Sequence, residues 1–272
     1  MPRDTVTPYR GEAVVAFLDI LGYGAFIESN WGPDGADAVI KLVRGINEFG
    51  GSSVTNVIRE GKQAAHGLHV AVISDSIVVC SPTSGVAEEV PWLPLSARMV
   101  MSHTAYIWAH LLANGLTLRG GIELGEVYWD DVVTTGPALI QAYRLESGRA
   151  RSSRVVLGPG LVGSYAARVL DHWAYTEFGM RHSVLESTAE DDDGLLTLDP
   201  KVMGATGRET PDQLQAIHPE ATIRRVGNLM RRHPRFHAKY VPLHRQLTRK
   251  GAGVTAERFA AVAAGYGERF QQ

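Results

Sequence analysis

Ala13 to Leu18 is an unbroken apolar run, rich in branched and aromatic side chains, that stops at Asp19 and is followed by Gly22 and Gly24. A short run of this kind with no polar alternation reads as a strand buried on both faces, so the chain must build a sheet with cover on either side. A second pair of apolar runs, Leu68 to Ile73 and Ile77 to Cys80, is separated by Ser74, Asp75 and Ser76, which predicts a hairpin with Asp75 at or near its turn. A carboxylate at the rim of a buried strand is costly unless a partner neutralises it, so two of them at adjacent strand ends point to a divalent-cation site and to chemistry on phosphates. The alternative is that Asp19 caps the next helix and Asp75 is a turn residue.

With 272 residues, the chain is long enough for one large domain, or one domain and an appendage, and 44% hydrophobic and 21% charged residues suit a globular protein. A formal net charge of −2 argues against a molecule dominated by binding to nucleic acid or to an anionic membrane. The first residues lack an apolar signal core, and no window supplies the ~18 apolar residues of a membrane span, which predicts a cytoplasmic location and no membrane partner. The single cysteine, Cys80, lies inside an apolar run and reads as a buried thiol.

Helices are predicted over residues 25–29 and 36–49, then over 93–112, where Gly115 supplies a stop. Leu116 to Leu124 and Glu126 to Trp129 read as a second strand pair turning at Gly125, and Gly136 to Glu146 as a helix entered through Pro137. Arg154 to Leu157 adds a strand and Pro159 to Leu170 a helix. The order matches an α+β, ferredoxin-like sandwich, an antiparallel sheet with helices, better than a doubly wound sheet. Residues 10–186 form the expected catalytic domain and 187–272 a mainly helical extension packed on it. The acidic run at 189–194 reads as a solvated loop, and Arg224 to Lys250 contains basic but no acidic residues.

Asp19 and Asp75 on neighbouring β-elements could share one or two Mg²⁺ or Mn²⁺ ions, since magnesium takes its remaining ligands from water and substrate phosphates. Gly22 and Gly24 let the backbone approach anions, and the helix that follows presents free N–H groups. Phe17, Asp19, Ile20, Gly22 and Tyr23, followed by Ser74-Asp75, the strand Leu118 to Val127 (LRGGIELGEV) and the helix GPALIQAYRLES carrying Arg144, resemble in order the segments of the class III nucleotidyl cyclases. The resemblance covers roughly Ala13 to Ser147. It implies that Asp19, Asp75 and the Ile20 carbonyl hold two divalent cations and that Arg144 stabilises the transition state. It also implies a head-to-tail homodimer whose active sites draw the aspartates and the arginine from opposite subunits. Phe17, Leu21, Gly22, Tyr23 and Arg119 are candidate substrate contacts. Arg119 could equally be a structural ion-pair partner, and Arg144 a surface residue paired with Glu146 or another acid. Glu123 and Glu126 either line the site or face solvent.

Positions that read the purine in adenylate cyclases fall at Ala71 and Val133, and the ribose-orienting asparagine falls at Ile140. None of the three can make those polar contacts. Retained metal aspartates with lost purine readers resemble the bacterial pyrimidine cyclases of Pycsar antiphage systems, which share the D-I-L-G start, the S-D-S hairpin and the R-G-G-I strand. That resemblance implies uridylate cyclase activity, UTP giving cyclic UMP and pyrophosphate as an alarm signal for a separate effector; UTP is favoured because uridylate producers are the commoner type. Cyclic CMP from CTP, a catalytically silent nucleotide-binding module and a palm-type enzyme are the competing readings. The last would show a G-G-D-E-F-type hairpin, whereas this one reads I-S-D-S-I.

Overall fold

The first apolar run extends in both directions into a long strand, β1 (Tyr9–Leu21), whose side chains alternate between two cores. Val14, Ala16, Leu18 and Ile20 enter the larger cluster, while Ala13, Val15 and Phe17 face the smaller one. The computed structural model describes residues 8–32, 36–50, 55–59, 62–84, 92–170, 184–201, 219–232, 237–249 and 253–271. After β1 come helices α1 (Tyr23–Asn30) and α2 (Asp37–Gly50), then strands β2 (Thr55–Arg59) and β3 (Lys62–His66), which among the described residues pair with each other. The hairpin β4 (His69–Ile73) and β5 (Ser76–Pro82) follows, then α3 (Trp92–Ala113), β6 (Thr117–Trp129), the short β7 (Thr134–Thr135) and α4 (Pro137–Gly148). Next are β8 (Val155–Leu157), α5 (Pro159–Arg168), β9 (Thr188–Glu190) and β10 (Leu196–Leu198). Helices α6 (Pro219–Arg232), α7 (His237–Thr248) and α8 (Ala256–Ala263) complete the order with a 3₁₀ turn, Gly267–Phe270.

The main sheet runs β4-β5-β1-β6-β8-β10-β9, with β7 beside β6. Its first four strands are antiparallel neighbours, and β1, the hairpin and β6 are joined through helices in the order of a ferredoxin-like βαββαβ unit. The α+β class expected from the sequence is therefore the observed one. β8 pairs parallel to β6 after the α4 crossover. α3 and α2 cover one face through Leu42, Ile46, Met101, Ile107, Trp108 and Leu111, and α4 covers part of the other through Ala138 and Ala142.

Gly125 does not turn the chain, contrary to the expected strand pair; β6 is continuous and Gly125 sits opposite Ala13 of β1. Gly121 of this strand serves helix packing instead. A Cβ on Gly121 would fall 2.4 Å from the Leu145 Cβ and 2.5 Å from the Ala142 carbonyl oxygen, so α4 lies against bare backbone. The acidic run also departs from expectation. Residues 188–190 pair as β9, and Asp191 and Asp193 hold Arg154 at 2.7 and 2.8 Å. Through β9 and β10 the sheet crosses the position between 186 and 187, and a C-terminal extension packed on the core remains our proposal for 187–272. No helix among the described residues is long and apolar enough to cross a membrane.

Candidate active site

The register between β1 and β5 sets the site. Asp19 is opposite Ser76, and Ile73 pairs with Ser76 across the hairpin, leaving Ser74 and Asp75 as a two-residue turn. Ser74 adopts φ 59°, a conformation that an L-residue tolerates only in tight turns. The Ile20 N–H donates to the Asp75 carbonyl at 2.8 Å and pins that turn to the end of β1. Asp19 and Asp75 thus share one corner of the sheet, Asp75 half-buried and the Asp19 side chain 21% exposed. Beyond them Gly22, at φ 90°, turns the chain into α1, a left-handed position that suits glycine.

On the other side of Asp19, β6 places Arg119 directly opposite in register. The Arg119 Nε–H donates to Asp19 Oδ2 at 3.0 Å, and the same nitrogen lies 2.6 Å from Glu146 Oε1 on α4. That second contact is an ion pair off the N–H axis: Glu146 Oε1 is buried and has no hydrogen-bond partner among the described residues. Burial raises the Glu146 carboxyl above the ordinary carboxylate range; Arg119 pulls it down, and Asp19 and Asp75 push it up. Three carboxylates therefore feel one another around a single guanidinium.

Other expected contacts are dispersed around this corner. Phe17 is half-buried and meets the Tyr143 ring edge-on at 5.4 Å between centroids. Leu21 is buried, and Tyr23 packs half-buried against the larger core. Arg144 lies on the exposed side of α4 and does not pair with Glu146, because Glu146 belongs to the buried stripe with Ala138, Ala142 and Leu145. Arg119 makes the ion pair that was one of its two expected roles. Glu123 is buried, accepts N–H groups from Leu124 and Leu161 at 2.8 and 2.7 Å, and so caps the start of α5. Its carboxyl is raised by burial and partly restored by those N–H groups and that of Gly160. Glu146 was not singled out as part of the site. Its helical spacing from Ala138 and Ala142, on a face that must be buried, was the available signal.

The donor set of the corner, two aspartate carboxylates and nearby backbone oxygen, is the hard-oxygen type that Mg²⁺ and Mn²⁺ prefer. No three Asp, Glu, His or Cys side chains among the described residues converge as a metal cage, so a cation here would draw most of its ligands from water and substrate.

No protein-family profile matches the chain, and no curated protein matches it. Among solved structures, the chain is similar to the adenylyl cyclase CyaB from P. aeruginosa, with 16% identity and a TM-score of 0.42 over 60% of this chain and 84% of that one. A class III adenylyl cyclase-like ATP-binding protein from Pseudomonas aeruginosa gives 16% identity and a TM-score of 0.41, over 68% of this chain and 43% of that one. A bacterial light-regulated adenylyl cyclase gives 15% and 0.38, over 59% and 46%. The chain spans under half the length of these last two. Ala71 is half-buried, while Val133 and Ile140 are exposed.

Proposed function

We propose that this protein is a nucleotidyl cyclase acting on a pyrimidine triphosphate, UTP in the first instance, and that its product, 3′,5′-cyclic UMP, signals to a separate effector in antiphage defence. The reading rests above all on one observation: the Ile20 N–H bond to the Asp75 carbonyl, with Asp19 in register beside that turn, gathers two carboxylates at one corner. Held by Asp19, Asp75 and the Ile20 carbonyl, two Mg²⁺ or Mn²⁺ ions would supply neutralisation of the triphosphate and a more acidic ribose 3′-hydroxyl. The 3′-oxygen bonds to the α-phosphorus as the bond to the β-phosphate oxygen breaks; pyrophosphate leaves and the hydroxyl proton passes to solvent. Arg144, exposed on α4, is available to a second copy of the chain, where its planar guanidinium would meet charge developing on the α-phosphate. Leu21, Gly22 and Tyr23 would border the phosphates, and Phe17 with Tyr143 the sugar or base. Apolar side chains at Ala71, Val133 and Ile140 suit a base that is not read through purine contacts.

One observation favours a second reading, a silent nucleotide-binding module: Asp19 is already hydrogen-bonded to Arg119. Incubating the protein with ATP, GTP, CTP and UTP plus Mn²⁺ and weighing the products separates the two. Cyclic UMP is expected, lost at least about 100-fold in D75N at an unchanged melting temperature. Cyclic CMP would reassign the substrate, and absence of any cyclic product would overturn the enzymatic reading.

A further inference from the structure

Arg119 has one Nε–H and two carboxylates within reach. The hydrogen bond goes to Asp19 at 3.0 Å, although Glu146 Oε1 is nearer at 2.6 Å, buried and unserved by any hydrogen bond among the described residues. A charged side chain on the buried stripe of α4 is costly unless it pairs, and Arg119 is the ion-pair partner it has. The geometry is that of a guanidinium poised between two acceptors. The Arg119 side chain is 30% exposed, so the guanidinium is not enclosed by the core.

We propose that Arg119 and Glu146 form a charge latch on the cation corner: Arg119 neutralises Asp19 while no cation is bound and moves its Nε–H onto Glu146 when a divalent cation takes Asp19. Glu146 is then a positioning residue, acting through Arg119. It sets cation affinity by giving the displaced guanidinium a buried anionic partner. This deepens the reading of the site given above and rests on it. A merely structural Glu146 would hold α4 against the sheet whatever occupied Asp19.

The test is manganese binding to the full chain without nucleotide, read from the free-Mn²⁺ electron paramagnetic resonance signal, together with melting curves. E146Q leaves Arg119 committed to Asp19, so Mn²⁺ affinity should fall about tenfold. R119Q removes the competitor, and in that background adding E146Q should change affinity less than about threefold. E146D keeps the charge but shortens the reach, and should weaken Mn²⁺ binding as E146Q does; it decides the matter if E146Q does not fold. An equal loss on adding E146Q with and without Arg119 would mean that Glu146 acts on the cation directly, and would overturn the latch. So would wild-type affinity in E146Q or E146D. If the wild type shows no Mn²⁺ binding that D75N removes, the cation reading falls and the latch falls with it.

Discussion

His103, on α3, is a buried imidazole whose Nε2 has no hydrogen-bond partner among the described residues, with the Tyr106 ring 6.4 Å away. Burial depresses its pKa from 6.5 to about 4, so the ring is neutral in the folded protein at pH 7. The unfolded chain takes up a proton near pH 6.5 and the native one does not. Stability is therefore full above that pH, falls as pH drops toward 4, and levels off below it, with a total loss on the order of 3 kcal/mol. H103L should flatten this part of the stability-versus-pH curve in urea unfolding; an unchanged slope would show that the histidine does not titrate as its burial implies. Single residues differ in how legible they were for a related reason. Asp19 and Asp75 stood out because each interrupts a local apolar run. Arg119 was legible as a substrate contact or an ion-pair partner, but its pairing with Glu146 was not, since that contact joins a strand to a helix and involves no local pattern.

α4 docks on β1 and β6, and the glycines of β6 decide how closely. At Gly121 a Cβ would enter the space of Leu145 and of the Ala142 carbonyl, whereas at Gly125 it would meet the Ala138 Cβ at an ordinary 3.5 Å. G121V should thus push α4 outward and cost about 2–3 kcal/mol of unfolding free energy, while G125A changes it by less than about 1 kcal/mol. Because α4 carries both Glu146 and Arg144, G121V should also lower turnover in the nucleotide assay. Equal effects of the two substitutions would contradict the packing described. Gly125 also shows why one element was misread. A glycine between apolar runs signals a turn equally well as a position inside a continuous strand, and only the pairing with β1 distinguishes them. β9 and β10 escaped notice because each is three residues long and β9 reads as acidic surface. Their pairing depends on Val156 and on Tyr266, whose hydroxyl donates to Leu157 O and accepts from Leu196 N at 2.8 Å each, far apart in sequence.

Across the whole molecule, the central strand, the hairpin and the crossover helices were readable because their apolar periods are strong and local, and the α+β class followed from their order. Surface that completes no contact within one chain was not readable in that way. Ile140 and Tyr143 on α4, Val132 and Val133 after β6, and Ile73 at 69% exposure beside the Asp75 turn are large hydrophobic side chains left in solvent. Ile73 lies at the Asp75 end of the sheet and Val132 and Val133 past the opposite end of β6; a second copy placed head to tail would bring these two ends together and deliver its Arg144 to the other chain's aspartates. D75N and R144A should each be inactive alone. Mixed in equal amounts and allowed to exchange, half the dimers would pair one of each, and half the sites in those dimers would combine an intact aspartate pair with an intact arginine. Activity should return to about a quarter of wild type, and it should vanish again when I140K is placed in both chains. Mixtures that stay silent while each variant remains folded and dimeric would show that the arginine and the aspartates do not meet across an interface.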